Sequence, residues 1–229
     1  MKSEMYSRYI KRFFDILLSL LSMPAVGLAV VFVAPAIWLN DRGPVFYNAT
    51  RMGMNGKIFR MYKFRSMKVN SPDLRTADGS TYNSDSDPRL TKVGRILRKL
   101  SVDEVPQMVN VLKGDMSFIG PRPILGKGVY EDFDEIRKKR LTVRPGITGY
   151  SQAYFRNSIS KEQKFLNDVY YVEHLSLLFD LRILFRTVFS VFSSKNIFVE
   201  VPEAVPVEAA AAQANGAPAE TETQETVEV

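Results

Sequence analysis

Asp103 and Glu104 stand side by side in the heptad "SVDEVPQ" (101–107) of a chain that is otherwise strongly basic. Adjacent carboxylates can hold a hard divalent cation, or one of them can attack an electrophile. They also suit a structural purpose. Ser101-x-x-Glu104 has the spacing of a capping box, in which the serine oxygen accepts a backbone N–H and the glutamate reaches back. Acidic residues in a first turn complement the helix dipole as well. Arg122 in "GPRP" is a second chemical candidate. Pro121 and Pro123 fix the backbone on both sides of it and present the guanidinium rigidly, as a fork for phosphate. Arg144, before Pro145 and Gly146, repeats that arrangement in weaker form. Lys63 and Arg65 in "YKFRSM" share a face if that stretch is a strand, to line a site or to meet lipid headgroups. His174, the single histidine, reads as structural, and Tyr170 and Tyr171 read as packing rather than a stack for a base.

These residues sit in a chain of 229, enough for one catalytic domain. Seven Glu and no Lys or Arg stand in 200–229, so the net charge of +6 leaves +13 on residues 1–199. A body of that charge seeks phosphate, whether in nucleic acid, anionic lipid or a nucleotide. The absence of cysteine excludes disulfides and thiolate metal sites, and fits a reducing compartment.

Residues 16–39, "ILLSLLSMPAVGLAVVFVAPAIWL", carry no charge. As a helix the run would measure about 36 Å, against about 30 Å for a bilayer's hydrocarbon core. It is too long for a signal peptide and too evenly apolar for a core helix. Both flanks are basic: Lys2, Arg8, Lys11 and Arg12 precede it, and Arg42, Arg51, Lys57, Arg60, Lys63, Arg65 and Lys68 follow. Basic flanks stay cytoplasmic, and Pro24 disfavours a straight span. A re-entrant membrane helix over 1–40 therefore fits better than a crossing one, with Ser19 and Ser22 placed to satisfy carbonyls freed at the break.

The remainder reads as a cytoplasmic catalytic domain over 41–199 and a disordered acidic tail over 200–229. Patches at 45–47 and 58–64, separated by Gly53 and Asn55-Gly56, predict a β-hairpin. Residues 71–89 predict a long polar loop. Leu90, Val93, Ile96, Leu97 and Leu100 recur at helical spacing, with Lys92, Arg95, Arg98 and Lys99 opposite. Ser101 to Gly114 predicts a helix with Asp103 ionised in its first turn, and 161–175 another. Asp180, Arg182 and Arg186 make 175–192 an interfacial helix rather than a span. The fold class expected is α+β and mostly helical.

The blocks "KRFFDILLS", "GPVFY", "YKFRSM", "LRKLSVDEVPQMVNVLKGDMSFIGPRP", "VRPGITG" and "DVYYVEHLSLLFDL", in that order over residues 10–190, resemble the bacterial sugar transferases of the small monotopic phosphoglycosyl transferase family. The resemblance implies a re-entrant helix broken at a proline, with a body on the cytoplasmic face of the bacterial inner membrane. It implies transfer of a sugar-1-phosphate from a UDP-sugar to polyprenyl (undecaprenyl) phosphate, releasing UMP, as the first membrane step of glycoconjugate assembly. Asp103 would be the nucleophile, passing through an aspartyl-phosphosugar, and Glu104 its companion as Mg²⁺ ligand or orienting group. Lys63, Arg65, Arg122, Arg144 and Asp168 would bind substrate. Membrane lipids are implied partners, and a homo-oligomer is compatible. "GYSQAYFRNSISK" (149–161) keeps Arg156 and Asn157 but departs from the family's "GWAQVNGRNAISW", which bears on the sugar rather than on the reaction type. The competing reading is a non-catalytic membrane-anchored adaptor with a lipid-binding basic face. A nucleic-acid binder is not expected, because no motif supports it and the basic residues track the membrane segment.

Overall fold

The apolar run forms one helix, α1 (Lys11–Asp41), entered through a π-helical turn at Tyr6–Ile10. Only 11% of its most apolar window is buried. Leu20, Leu21, Leu28, Val31, Phe32 and Leu39 face away from the protein, which no core helix would tolerate. The helix is continuous through Pro24 and Pro35, so re-entry at Pro24 would be a bend within one helix rather than a gap between two. Ser19 Oγ donates to Asp15 O at 2.6 Å and Ser22 Oγ to Ser19 O at 2.8 Å. Neither reaches the Leu20 carbonyl that Pro24 leaves without its usual partner.

Both ends of α1 return to the same body. At the start, Arg12 donates to the carbonyls of Val111 and Leu112 at 2.6 and 2.9 Å, and the buried Asp15 accepts from Ser117 Oγ and Phe118 N, both at 3.0 Å. Asp180 accepts from Tyr6, Lys11 and Tyr171 at 2.6, 2.5 and 2.8 Å and clamps the entry turn to two later helices. At the far end, Ile37 packs with Phe64 and Leu97, and Asp41 pairs with Arg65.

This structure is a computed structural model that describes residues 5–75, 82, 84, 86–156, 158–193 and 205–206. The hairpin forms between β1 (Ala49–Met52) and β2 (Ile58–Met61), antiparallel, with Met52 opposite Ile58. Its first strand begins after the expected 45–47 patch, of which only Phe46 bridges to Phe64. The turn uses Asn55 and Gly56, both at positive φ (54° and 78°), where asparagine and glycine meet the least steric cost. Leu74–Arg75 (β3) pairs with Val205–Pro206 (β7), and Ile124–Leu125 (β5) pairs with β1. The two central segments are β4 (Ser117–Ile119) and β6 (Gly146–Thr148), which are parallel. They approach so closely that a Cβ on Gly146 would fall 2.1 Å from Gly120 N, so "GPRP" and "VRPG" lie side by side only with glycine there.

Helices α2 (Lys92–Lys99), α3 (Gln107–Lys113), α4 (Glu135–Arg140), α5 (Tyr150–Tyr154), α6 (Lys161–Glu173) and α7 (Leu177–Ser193) complete the described architecture. The α+β, mostly helical class holds. Thr91, Asp134 and Ser160 cap α2, α4 and α6 through their side chains. The core has three parts: Tyr171, Ile183 and Ile119 beneath α6 and α7; Val111, Met116 and Phe59 between α3 and the hairpin; and Phe64 and Leu97 beneath α1. The expected acidic tail, apart from Val205–Pro206, and residues 76–81, 83 and 85 of the expected loop at 71–89 fall outside the described residues.

Candidate active site

The capping box does not form. Ser101 lies at φ 57°, left-handed, with no side-chain cap, and a 3-10 turn at Val102–Glu104 precedes α3, which starts only at Gln107. The serine closes α2 and reverses the chain. Asp103 and Glu104 thus stand on a tight turn between two helices rather than in a helical first turn.

Backbone contacts fix that turn against the segment after β2. Phe64 N donates to Asp103 O at 3.0 Å. Asn110, fully buried on α3, accepts from Tyr62 N at 2.8 Å and donates to Arg60 O at 2.7 Å. Lys63 is therefore held opposite the acids. Its ammonium lies 2.9 Å from Asp103 Oδ2 and 3.2 Å from Glu104 Oε1. Arg122 reaches Glu104 Oε1 at 3.4 Å with its side chain 57% exposed, so its charge is largely free for a ligand. Arg98, expected on a solvated face, is turned inward: its Nε donates to Ser66 Oγ at 3.1 Å and its charge bears on Asp103. A shallow cleft opens beside them, lined by Arg51, Met61, Glu104, Gln107, Arg122, Pro123 and Gly146.

The two carboxyls are driven apart electrostatically. Burial pushes Asp103 above the usual carboxylate range; Lys63 opposes this and the Glu104 charge reinforces it. Burial acts the same way on Glu104, but Lys63 and Arg122 outweigh it and hold that carboxyl below the usual range. Asp103 is thus the member that holds a proton more readily than an ordinary aspartate, contrary to the expectation of a plainly ionised first-turn residue. Its Oδ2 is sealed from solvent and has no aligned hydrogen-bond donor, although the Lys63 ammonium is in ionic contact. Two adjacent carboxylates that share one lysine ammonium are a donor set that a hard cation accepts, the rest of its sphere coming from phosphate and water. Among the described residues no cluster of three or more metal-ligating side chains exists.

The other expected site residues are placed elsewhere. Arg65 does not share a face with Lys63, because 62–65 is not a regular strand: its guanidinium pairs with Asp41 at the end of α1 and donates to Pro44 O. Arg144 donates to Gly114 O at 3.0 Å, and with Arg12 it caps the carbonyl end of α3. Asp168 is buried in a pair with Arg140, at 3.0 Å to Nε and 2.5 Å to Nη2. Arg140 also donates to Arg122 O at 2.9 Å, so the pair supports the arginine turn from behind. Arg156 donates through Nε to Ser190 Oγ at 2.7 Å and through Nη2 to Ser190 O, at the end of α7. His174 stacks on Tyr170 at 4.0 Å between centroids, and Tyr171 is buried and bonded to Asp180, in keeping with structural roles. Arg98, Gln107 and Arg140 are the residues near the site that sequence reasoning did not single out. Arg140, the last of a basic run, had no local feature to mark it as buried.

A family model for bacterial sugar transferases matches residues 6–194. The uncharacterized sugar transferase EpsL of Bacillus subtilis (strain 168) is 42% identical over 188 residues, which cover 82% of this chain and 90% of that protein. The UDP-N-acetylgalactosamine-undecaprenyl-phosphate N-acetylgalactosaminephosphotransferase of Aeromonas hydrophila is 40% identical over 186 residues, 79% of this chain and 43% of that one. The UDP-glucose:undecaprenyl-phosphate glucose-1-phosphate transferase of Escherichia coli (strain K12) is 39% identical over 196 residues, 82% and 41%. The chain spans less than half the length of the last two.

Proposed function

The chain belongs to the bacterial sugar transferase family, and from that premise we propose that it moves a sugar-1-phosphate from a UDP-sugar to undecaprenyl phosphate. It is an enzyme of the phosphoglycosyl transferase kind. One observation carries the mechanism: a buried carboxylate, Asp103, in contact with Lys63 and in the field of Arg98, next to a Glu104 that shares Lys63 and, with its partner Arg122, lines a cleft. An Asp103 oxygen attacks the phosphorus that bears the sugar. The bond from that phosphorus to the UMP oxygen breaks, and UMP leaves. A lipid phosphate oxygen then attacks the same phosphorus, and the aspartyl–phosphorus bond breaks. The mixed anhydride on Asp103 is about as reactive as the diphosphate it came from, so neither half is a deep trap. Lys63 and Arg122 neutralise the phosphate charge that would repel a carboxylate. Asp103 and Glu104 would hold Mg²⁺, which when bound supplies further charge neutralisation at the phosphates.

Incubated with its UDP-sugar and Mg²⁺ but no lipid, the enzyme releases up to one UMP per active site and retains sugar phosphate. A single-step transfer releases none until lipid is added, and that result would sink the covalent mechanism. The adaptor reading predicts no UMP under any condition.

We further propose that α1 enters the membrane and leaves on the same side. This is supported by its exposed apolar surface and by the attachment of both ends to one body. Cysteines replacing Arg8 and Asn48 in this cysteine-free chain are both expected to resist an impermeant thiol reagent in intact cells. Labelling of one alone would mean that the helix crosses.

A further inference from the structure

We propose that Gln107 recognises the sugar: its side-chain amide hydrogen-bonds a hydroxyl of the hexosyl group carried on the phosphate under attack. This rests on reading the cleft as the UDP-sugar site. Gln107 opens α3, four residues after Asp103 in sequence, and lines the cleft beside Glu104 and Arg122. The residue is 3% exposed. An amide offers two donors and two acceptor lone pairs, yet among the described residues no side chain or backbone group bonds this one. Its polar atoms are not among the sealed, unpartnered ones, so the amide faces the cleft, where a ligand can take up its bonds.

Asn110, on the same short helix, shows what a structural amide looks like here. It is fully buried and spends its oxygen on Tyr62 N and its nitrogen on Arg60 O. Gln152 is also unpartnered, but both its polar atoms are sealed from solvent. Gln107 differs from both in being unpaired and open to the cleft.

The chemistry narrows the ligand. Phosphate oxygens only accept, and Lys63 and Arg122 already serve them. A group that both donates and accepts, beside an anion and a cation, matches a hydroxyl. The hexose is joined directly to the phosphorus that Asp103 attacks, whereas the ribose lies beyond a second phosphate. The hydroxyl that meets Gln107, beside Glu104 and Arg122, is therefore a sugar hydroxyl.

The test pairs a protein change with a substrate change. Wild type and Gln107→Met, which keeps volume and loses the amide, are given UDP-glucose, UDP-galactose and UDP-N-acetylgalactosamine with Mg²⁺ and undecaprenyl phosphate, and UMP is read. The accepted donor is then replaced by each of its monodeoxy analogues and by its 2′-deoxyuridine analogue. Gln107→Met is expected to lose about 10- to 100-fold in kcat/KM on the parent donor. On one sugar-deoxy analogue the two proteins become equal, while on the others the gap persists. Gln107→Glu, which keeps the shape and one kind of bond, provides the same cycle if the methionine variant does not fold. A gap that stays equal on every analogue, no gap at all, or closure only on the 2′-deoxyuridine donor each overturns the proposal while leaving the transferase reading intact. Wild type that releases no UMP from any donor overturns that reading, and this one with it.

Discussion

Among the aspartates that the protein buries against cations, Asp103 and Asp168 sit in pairs built for opposite ends. Asp168 meets the planar fork of Arg140, whose Nε and Nη2 converge on one carboxylate oxygen while Phe165 lies 4.4 Å from the guanidinium carbon. Asp103 meets a single ammonium, 2.9 Å away, that Glu104 shares at 3.2 Å. Burial raises both carboxyls. At Asp168 the fork, the ring and the carbonyl of Arg122 hold the cation through Nε and Nη2, with Nη1 sealed and without a partner. At Asp103 the cation is a flexible lysine, the acid keeps an oxygen without an aligned donor, and a cleft opens alongside. Burial with a committed partner makes a brace; burial with a shared, movable partner makes a group that can be recruited by a substrate.

Asn substitution separates them most sharply. Asp103→Asn is expected to lose at least about 10³-fold of the UMP burst while the protein stays folded, since the amide is a very poor nucleophile. Near-normal turnover in that variant would refute the covalent step at this residue. Stability should respond the other way. With its pKa raised, folded Asp103 binds more protons than the unfolded chain between the two pKa values, so wild type loses stability as pH rises through that window. Asparagine does not titrate. The difference in melting temperature, variant minus wild type, should therefore grow in the variant's favour from acid to neutral pH; a flat difference would show that burial does not strain Asp103.

Breaking the brace comes next in size. Asp168→Ala leaves Arg140 buried and unpaired, at a cost of about 3–5 kcal/mol, read as a lower denaturation midpoint. If activity falls while the midpoint holds, Asp168 touches substrate after all. The smallest effect concerns the pH profile. The acid limb of the burst rate should lie above the usual carboxylate range in wild type, because Asp103 must lose its proton to attack. Lys63→Met removes the charge that opposes this and should move the limb further up; a limb that moves down would mean that lysine does not stabilise the ionised acid.

The parts of the fold governed by neighbours in sequence were legible there. Asn55-Gly56 marks its turn because only a few residues tolerate positive φ. The helices at 161–175 and 175–192 follow from apolar spacing and land within a few residues of α6 and α7. The acid pair in "SVDEVPQ" and the arginine between two prolines come together as expected. What failed were inferences that extended a local rule into a tertiary setting. Ser101 matches a capping box, but the chain must reverse between α2 and α3, and a left-handed residue cannot cap. Lys63 and Arg65 would share a face only in a strand that ends at Met61. Arg140 looks like one of four solvated basic residues because its partner lies 28 positions downstream, beyond any periodic pattern.

Helix α1 is fastened at Arg12 and again at Asp41. A rod held at one end swings; a beam clamped at both can only bow. Its middle cannot rise or sink without dragging both fastenings, and one of them, Arg12, grips the C-terminal end of α3, the helix whose first residue faces the cleft. Through that joint the cleft and the apolar beam share one rigid frame, so the level of one follows the level of the other.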